Sequence, residues 1–167
     1  MCYLKSPRWP LSFMHTNQKL YGIEVKCRLG CNEKETTSHI FTHCEIFQKW
    51  REDAGNQLEK LIRERLTGMD VTEIERTRFL QKAKCFYTDD PELWPLVESH
   101  YYLGHVPKIR PMLTSLENEN RILRERIIHG IYCDWHNTRV RLAGRIFGKL
   151  QHWDTRRNQE GGELERA

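Results

Sequence analysis

Apolar residues recur every three or four positions through two long stretches of the chain, a period that predicts helices. The first stretch carries Phe47, Trp50, Ala54, Leu58, Leu61 or Ile62, and Leu66; Gly55-Asn56 weakens its middle, and Gly68 is placed to end it. Asp70 followed by Glu73 reads as a capping box, with Asp where Ser or Thr is usual. It opens a second helix carrying Ile74, Phe79 or Leu80, Ala83 and Tyr87. Pro91 and Pro95 punctuate the chain, a short helix is expected from Pro95 to Leu103 with Gly104 as its stop, and Val106 to Pro111 reads as a connector.

From Thr114-Ser115 a longer pattern begins, through Leu116, Leu123, Ile127, Ile131, Trp135, Leu142, Ile146, Leu150 and Trp153. Unbroken helix over 115–150 would be about 54 Å long at 1.5 Å per residue. Gly130 and His136-Asn137-Thr138 are the expected places for a break or bend. Residues 1–26 show no period and read as an extended or loosely helical lead-in. The polar stretch 158–167, with Gly161-Gly162, is expected to be disordered. No internal repeat is visible.

Composition narrows the class. The chain has 167 residues, 38% hydrophobic and 30% charged, with a mean hydropathy of −0.74. That is polar, but five Trp, six Tyr and six Phe argue for a folded protein. No apolar run approaches the roughly 20 residues that span a bilayer, so no membrane partner is expected. The first ten residues hold Lys5 and Arg8 but no apolar core of a secretory signal, which predicts an intracellular protein of the nucleus or cytoplasm. In such a reducing compartment, clustered cysteines bind metal more often than they form disulfides. Cys2, Cys85 and Cys133 are scattered and read as incidental small side chains.

Three cysteines and a histidine do cluster, as Cys27-x3-Cys31-x7-His39-x4-Cys44. Two close Cys can hold one edge of a tetrahedron and a His/Cys pair the other, which is the chemistry of a zinc site. Gly30 lets the backbone turn between the first two, and Thr36, Thr37 and Ser38 suit the cap of a short turn carrying His39 and His43. His43 is the alternative fourth ligand, but it adjoins Cys44 and would point elsewhere. Four protein ligands leave no open position, so structural Zn2+ is expected rather than a catalytic ion. A structural zinc contributes on the order of 10 kcal/mol to folding, and the stretch before residue 46 has little apolar material of its own. The predicted fold class is therefore mainly α: a small CCHC zinc-binding knuckle followed by a helical domain with a long C-terminal helix. The expected organisation is lead-in 1–26, knuckle 27–50, helical domain 51–157 and tail 158–167.

Tyr87-Thr88-Asp89-Asp90 spells the carboxylate signature of reverse transcriptases, but it follows a helical stripe and precedes Pro91, so Asp90 reads as a helix-end residue. No catalytic residue and no small-molecule substrate are expected. Charge is more telling. Residues 121–157 hold nine Arg and Lys against three acids, so the region is +6 and the rest of the +4 chain about −2. Arg141, Arg145, Lys149, His152 and Arg156 form one stripe at helical spacing, able to neutralise phosphates along an RNA or DNA backbone. The alternative is a solvated face whose stems cover the core.

Cys27-Arg-Leu-Gly-Cys31, Glu35-Thr36-Thr37-Ser38-His39-Ile40-Phe41, Cys44 and Phe47 to Trp50 together resemble the zinc-binding region at the C-terminal end of non-LTR retrotransposon reverse transcriptases. Ser99-His-Tyr-Tyr-Leu-Gly104 and Asp134-Trp-His136 through Arg141-Leu-Ala-Gly-Arg-Ile-Phe-Gly148 look like the C-terminal extension of such elements in basidiomycete fungi. The chain departs from that pattern in having x3 rather than x2 between its first two cysteines. The resemblance spans most of 25–150 and implies zinc ligands at Cys27, Cys31, His39 and Cys44 with contact to template RNA or target DNA. The polymerase and ribonuclease H domains of such polyproteins are absent from these 167 residues. The expected function is a non-catalytic, zinc-binding, nucleic-acid-binding module. The alternatives are a zinc-stabilised protein-interaction domain using the long helix, or an element remnant without function.

Overall fold

A computed structural model describes residues 26–84, 106–108, 110, 113–118 and 120–164, the side chains of 117, 118 and 154–164 excepted. Tyr87 and the Asp89-Asp90 motif, the short helix expected at 95–103, and nearly all of the lead-in lie outside these residues.

The described chain is mainly helical. A short turn at His39–His43 and a 3-10 turn at Glu45–Phe47 lead into helix α1, Gln48–Leu66. Helix α2 spans Glu73–Lys84, a second 3-10 turn covers Thr114–Asn118, and helix α3 runs from Arg121 to Leu164. No strand is present among the described residues, only an isolated antiparallel bridge between Lys26 and Lys34.

The stripe predicted for α1 is the buried one: Phe47, Leu58, Ile62 and Leu66 are fully covered, and Leu61 is left half-buried. Gly68, at φ +80°, follows its end. Gly55 is not a flaw in this helix but a contact. A Cβ added there would sit 2.1 Å from the carbonyl oxygen of Lys84, so the last turn of α2 can approach α1 only because residue 55 lacks a side chain.

The start of α2 corrects the sequence reading. Asp70 does not cap it; Thr72 does, its hydroxyl accepting from the Glu75 N–H at 3.3 Å and its carbonyl accepting from Arg76 N–H at 2.9 Å. Thr72 is the better N-cap, with a β-hydroxyl in place of the Asp carboxylate. With this frame Phe79, Leu80 and Ala83 all face inward, whereas Ile74, expected inside, is 74% exposed. Glu75 then turns away to accept hydrogen bonds from Thr114 Oγ1 at 2.5 Å and Ser115 N–H at 3.1 Å, tying α2 to the turn that precedes α3.

Helix α3 begins six residues later than the apolar pattern suggested. Asn120 caps it, its side-chain oxygen accepting from Ile122 N–H at 2.9 Å. It has 44 residues and so is about 66 Å long. Neither expected break occurs. Gly130 instead makes room for the Arg65 guanidinium, which a Cβ there would meet at 2.3 Å, and Arg65 pairs with Asp134 from α1 across to α3. Thr138 stays within the helix, its hydroxyl donating to the Asp134 carbonyl at 2.8 Å. The helical backbone continues through 158–164, within the stretch expected to be disordered, because extending an existing helix needs no new nucleus.

α1 and α3 run antiparallel, Trp50 meeting Arg145 at one end and Arg65 meeting Asp134 at the other. Phe79 of α2 packs on Trp135 of α3 with ring centroids 6.2 Å apart. Cys27, Leu29, Ile40, Phe41 and Cys44 belong to the same buried cluster as the helix residues, so knuckle and helices share one core. No described helix is long and apolar enough to cross a membrane.

Gly55→Ala should destabilise the protein by about 1–3 kcal/mol through overpacking against Lys84, despite alanine's better helix propensity. Ile74→Ala, on the exposed face of α2, should change stability by less than about 0.5 kcal/mol. Urea unfolding followed by circular dichroism checks both; equal effects would remove the close-approach explanation.

Candidate metal centre

Cys27, Cys31, His39 and Cys44 converge. One ligand atom from each lies within 4.8 Å of all the others, close enough to hold a metal ion. The local chain explains how. The bridge between Lys26 and Lys34 and the bond from Cys27 N–H to the Glu33 carbonyl, 2.9 Å, close a narrow loop around the first two cysteines. At its tip the Gly30 N–H donates to the Cys27 carbonyl at 3.0 Å, with Gly30 at φ +99°, a conformation that favours glycine. The second half-site follows from Thr36, whose Oγ1 accepts from His39 N–H at 2.9 Å and caps the turn. Cys44 N–H then donates to the His39 carbonyl at 2.7 Å, which brings the last thiol back beside the imidazole.

The distances suit a tetrahedral ion. Thiolate bonds of about 2.3 Å at tetrahedral angles give sulfur–sulfur edges of about 3.8 Å; Cys31 and Cys44 Sγ are 3.3 Å apart, and all four sulfurs and nitrogens fall within 4.8 Å. No disulfide joins them: Cys27, Cys31 and Cys44 are free thiols. His39 Nε2 is buried with no hydrogen-bond partner among the described residues. A polar atom in that position costs on the order of 1–3 kcal/mol unless something meets it, and a cation at the centre of the cluster would. His43, the other candidate, is exposed, its Nδ1 2.6 Å from Thr42 Oγ1, and stands outside the cluster.

Burial shapes the protonation of these groups. It pushes the Cys27 thiol up from its ordinary value and the Cys44 thiol up to about 12. Burial likewise pushes the His39 imidazole down, against the weaker pull of Glu33 and Glu35. Without a cation the Cys27 and Cys44 thiols therefore stay protonated near neutral pH, and His39 stays neutral, ready to donate a lone pair. A cleft of about 720 Å³ opens beside Cys31, with Glu33, His43 and Glu45 on its walls.

The sequence reading missed what braces the loop. Arg28 and Glu35 form an ion pair whose side chains are 7% and 2% exposed. Arg28 Nη2 donates to Glu35 Oε1 at 2.6 Å, its Nε reaches both carboxylate oxygens at 3.0 Å, and its backbone N–H donates to Oε2 at 2.9 Å. The carboxylate thus straps the Cys27–Cys31 loop to the segment that carries His39. An Arg directly after the first ligand was the only hint the sequence offered.

The basic stripe sits on α3, away from the cluster. Arg141, Arg145, Lys149 and His152 are exposed; Arg156 lies on the helical backbone, its side chain outside the description. Arg145 is partly committed, its guanidinium 4.5 Å over the Trp50 ring, and Trp50 in turn lies 5.3 Å from Phe47. Arg139, in the same basic run, is fully buried instead. No family model, curated protein or solved structure matches the chain.

Because the Cys27 and Cys44 thiols are protonated before binding, metal uptake at pH 7.5 should release at least two protons per ion. Calorimetry in buffers of different ionisation enthalpy reads that number directly, and release of fewer than two would mean that the thiols are not the ligands. Removing one partner of a buried ion pair is costly, so Glu35→Ala should destabilise the fold by about 3–5 kcal/mol. In competition with a chromophoric chelator it should also lose metal faster than the parent.

Proposed function

We propose that this chain is a non-catalytic nucleic-acid-binding module organised by one structural zinc ion. The observation that carries the reading is the Cys27/Cys31/His39/Cys44 cluster, buried except at the half-exposed Cys31, with His39 Nε2 lacking a partner among the described residues. Zinc suits three thiolates and an imidazole, and four protein ligands leave no position for reactive water. The role of the ion is then to hold loop, turn and α1 in one arrangement.

The exposed cations of α3 supply the second half of the reading. Arg141 and Lys149 are free to meet phosphates in succession, with Arg145 stacked on Trp50 between them. Contacts of that kind bind a backbone without reading bases, which suits RNA or single-stranded DNA held through its charge. The resemblance of Cys27 to Trp50 to the zinc-binding region of non-LTR retrotransposon reverse transcriptases supports the same reading, in which polymerase chemistry belongs to other domains. The intracellular compartment expected from the sequence is the one where such thiols stay reduced.

Native mass spectrometry should find one zinc per knuckle, lost in a Cys31→Ser, Cys44→Ser double variant. Affinity for single-stranded RNA should fall steeply with salt, and Arg141→Glu with Lys149→Glu should remove two phosphate contacts. The slope of log K against log salt would then shrink by about 1.4 in magnitude. Binding that ignores both salt and these substitutions would sink the nucleic-acid reading while leaving the zinc reading intact.

A further inference from the structure

Helix α3 carries a second pair of metal-ligating side chains far from the knuckle in sequence. Cys133 Sγ lies 3.6 Å from His129 Nε2, and both residues are exposed. One helical turn separates them, which places them on the same face. Zinc bonds of about 2.3 Å to sulfur and 2.0–2.1 Å to nitrogen, at the tetrahedral angle, require ligand atoms about 3.5–3.6 Å apart. The pair is spaced as one edge of that tetrahedron, with the opposite edge missing.

We propose that a second copy of this chain supplies the missing edge, with the two α3 helices packed antiparallel and one thiophilic divalent cation held by His129 and Cys133 of each. The register of exposed residues on this face supports it. Ile122, Arg126, His129, Cys133, His136 and Val140 are all exposed and follow one another by three or four positions. Ile122 and Val140 are large apolar side chains left 72% and 45% in solvent. Both lie nine residues from position 131, the midpoint of the His129–Cys133 pair. An isologous contact repeats the same patch on both sides of a two-fold axis. With the axis at 131, His129 faces Cys133 of the second copy and Ile122 faces its Val140, so one operation completes the ion's shell and covers both apolar residues. Arg65, the cation that lies over Gly130 of this helix, is already neutralised by Asp134. On binding, each Cys133 thiol gives its proton to solvent and each His129 donates through Nε2 as a neutral ring, so one ion enters and two protons leave.

The test uses the full chain in a non-thiol reductant with a small excess of zinc, reading molar mass by light scattering and metal per chain by mass spectrometry. The parent should double in mass on zinc addition and hold about half an ion per chain more than Cys133→Ser. Cys133→Ser and His129→Ala should each stay monomeric and lack that half ion; both positions are exposed, so the core is untouched. Because the comparison is a difference between parent and variant, it reads the same whether or not the knuckle holds zinc. A parent that stays monomeric with the same metal count as Cys133→Ser overturns the proposal. One whole extra ion on a monomeric chain overturns the second copy, and a dimer that survives both substitutions overturns the bridging ion.

Discussion

Three thiols and an imidazole within 4.8 Å of one another, mostly out of water, form a cluster that has no favourable arrangement by itself. The Cys27 and Cys44 thiols hold their protons because burial disfavours the thiolate, and the imidazole faces them with a nitrogen that no other described residue satisfies. A divalent ion held there would reverse each of these penalties at once. The loop from Cys27 to Cys31, the capped turn at His39 and the entry to α1 are the elements that such an ion would tie together. The buried Arg28–Glu35 pair extends the same logic: two charges removed from water are tolerated because four donor–acceptor contacts tie them together. Knuckle and brace are both electrostatic, as suits a segment short of apolar side chains.

The helices are held by ordinary packing made close by absent side chains. Gly55 admits the Lys84 carbonyl and Gly130 admits the Arg65 guanidinium, so α1 is drawn against α2 on one side and α3 on the other. Leu58, Ile62 and Leu66 fill the resulting seam with Phe79 and Trp135. Burying side chains of this size is worth about 1.5–3 kcal/mol each before conformational entropy is set against it.

The parts legible in the sequence were those fixed by short-range spacing. The four clustered side chains lie within 18 residues and declare themselves by residue type, and the period of α1 and α3 shows in their leucines and isoleucines. Contacts between distant residues stayed hidden. Gly55 looks like a weakness until Lys84, far along the chain, is seen against it, and Gly130 looks like a break until Arg65 lies over it. Asp70 and Thr72 both suit an N-cap, and only the hydrogen bonds that Thr72 accepts from the Glu75 and Arg76 N–H groups select it. The Arg28–Glu35 pair was invisible for a plainer reason. Opposite charges seven residues apart are commonplace, and nothing in their spacing says that both will be buried.

Between the knuckle and the cationic face of α3 runs a short relay. Phe47 N–H is bonded to the Cys44 carbonyl, the Phe47 ring meets Trp50, and Trp50 carries the Arg145 guanidinium. Were an ion held at the knuckle, this relay would be a path by which grip on the ion and posture of that cation are coupled. Linkage is reciprocal: to whatever extent an ordered knuckle improves the hold of α3 on a polyanion, the polyanion tightens the hold on the ion by the same factor. A chain engaged in this way would surrender its metal to a competing chelator more reluctantly than an idle one.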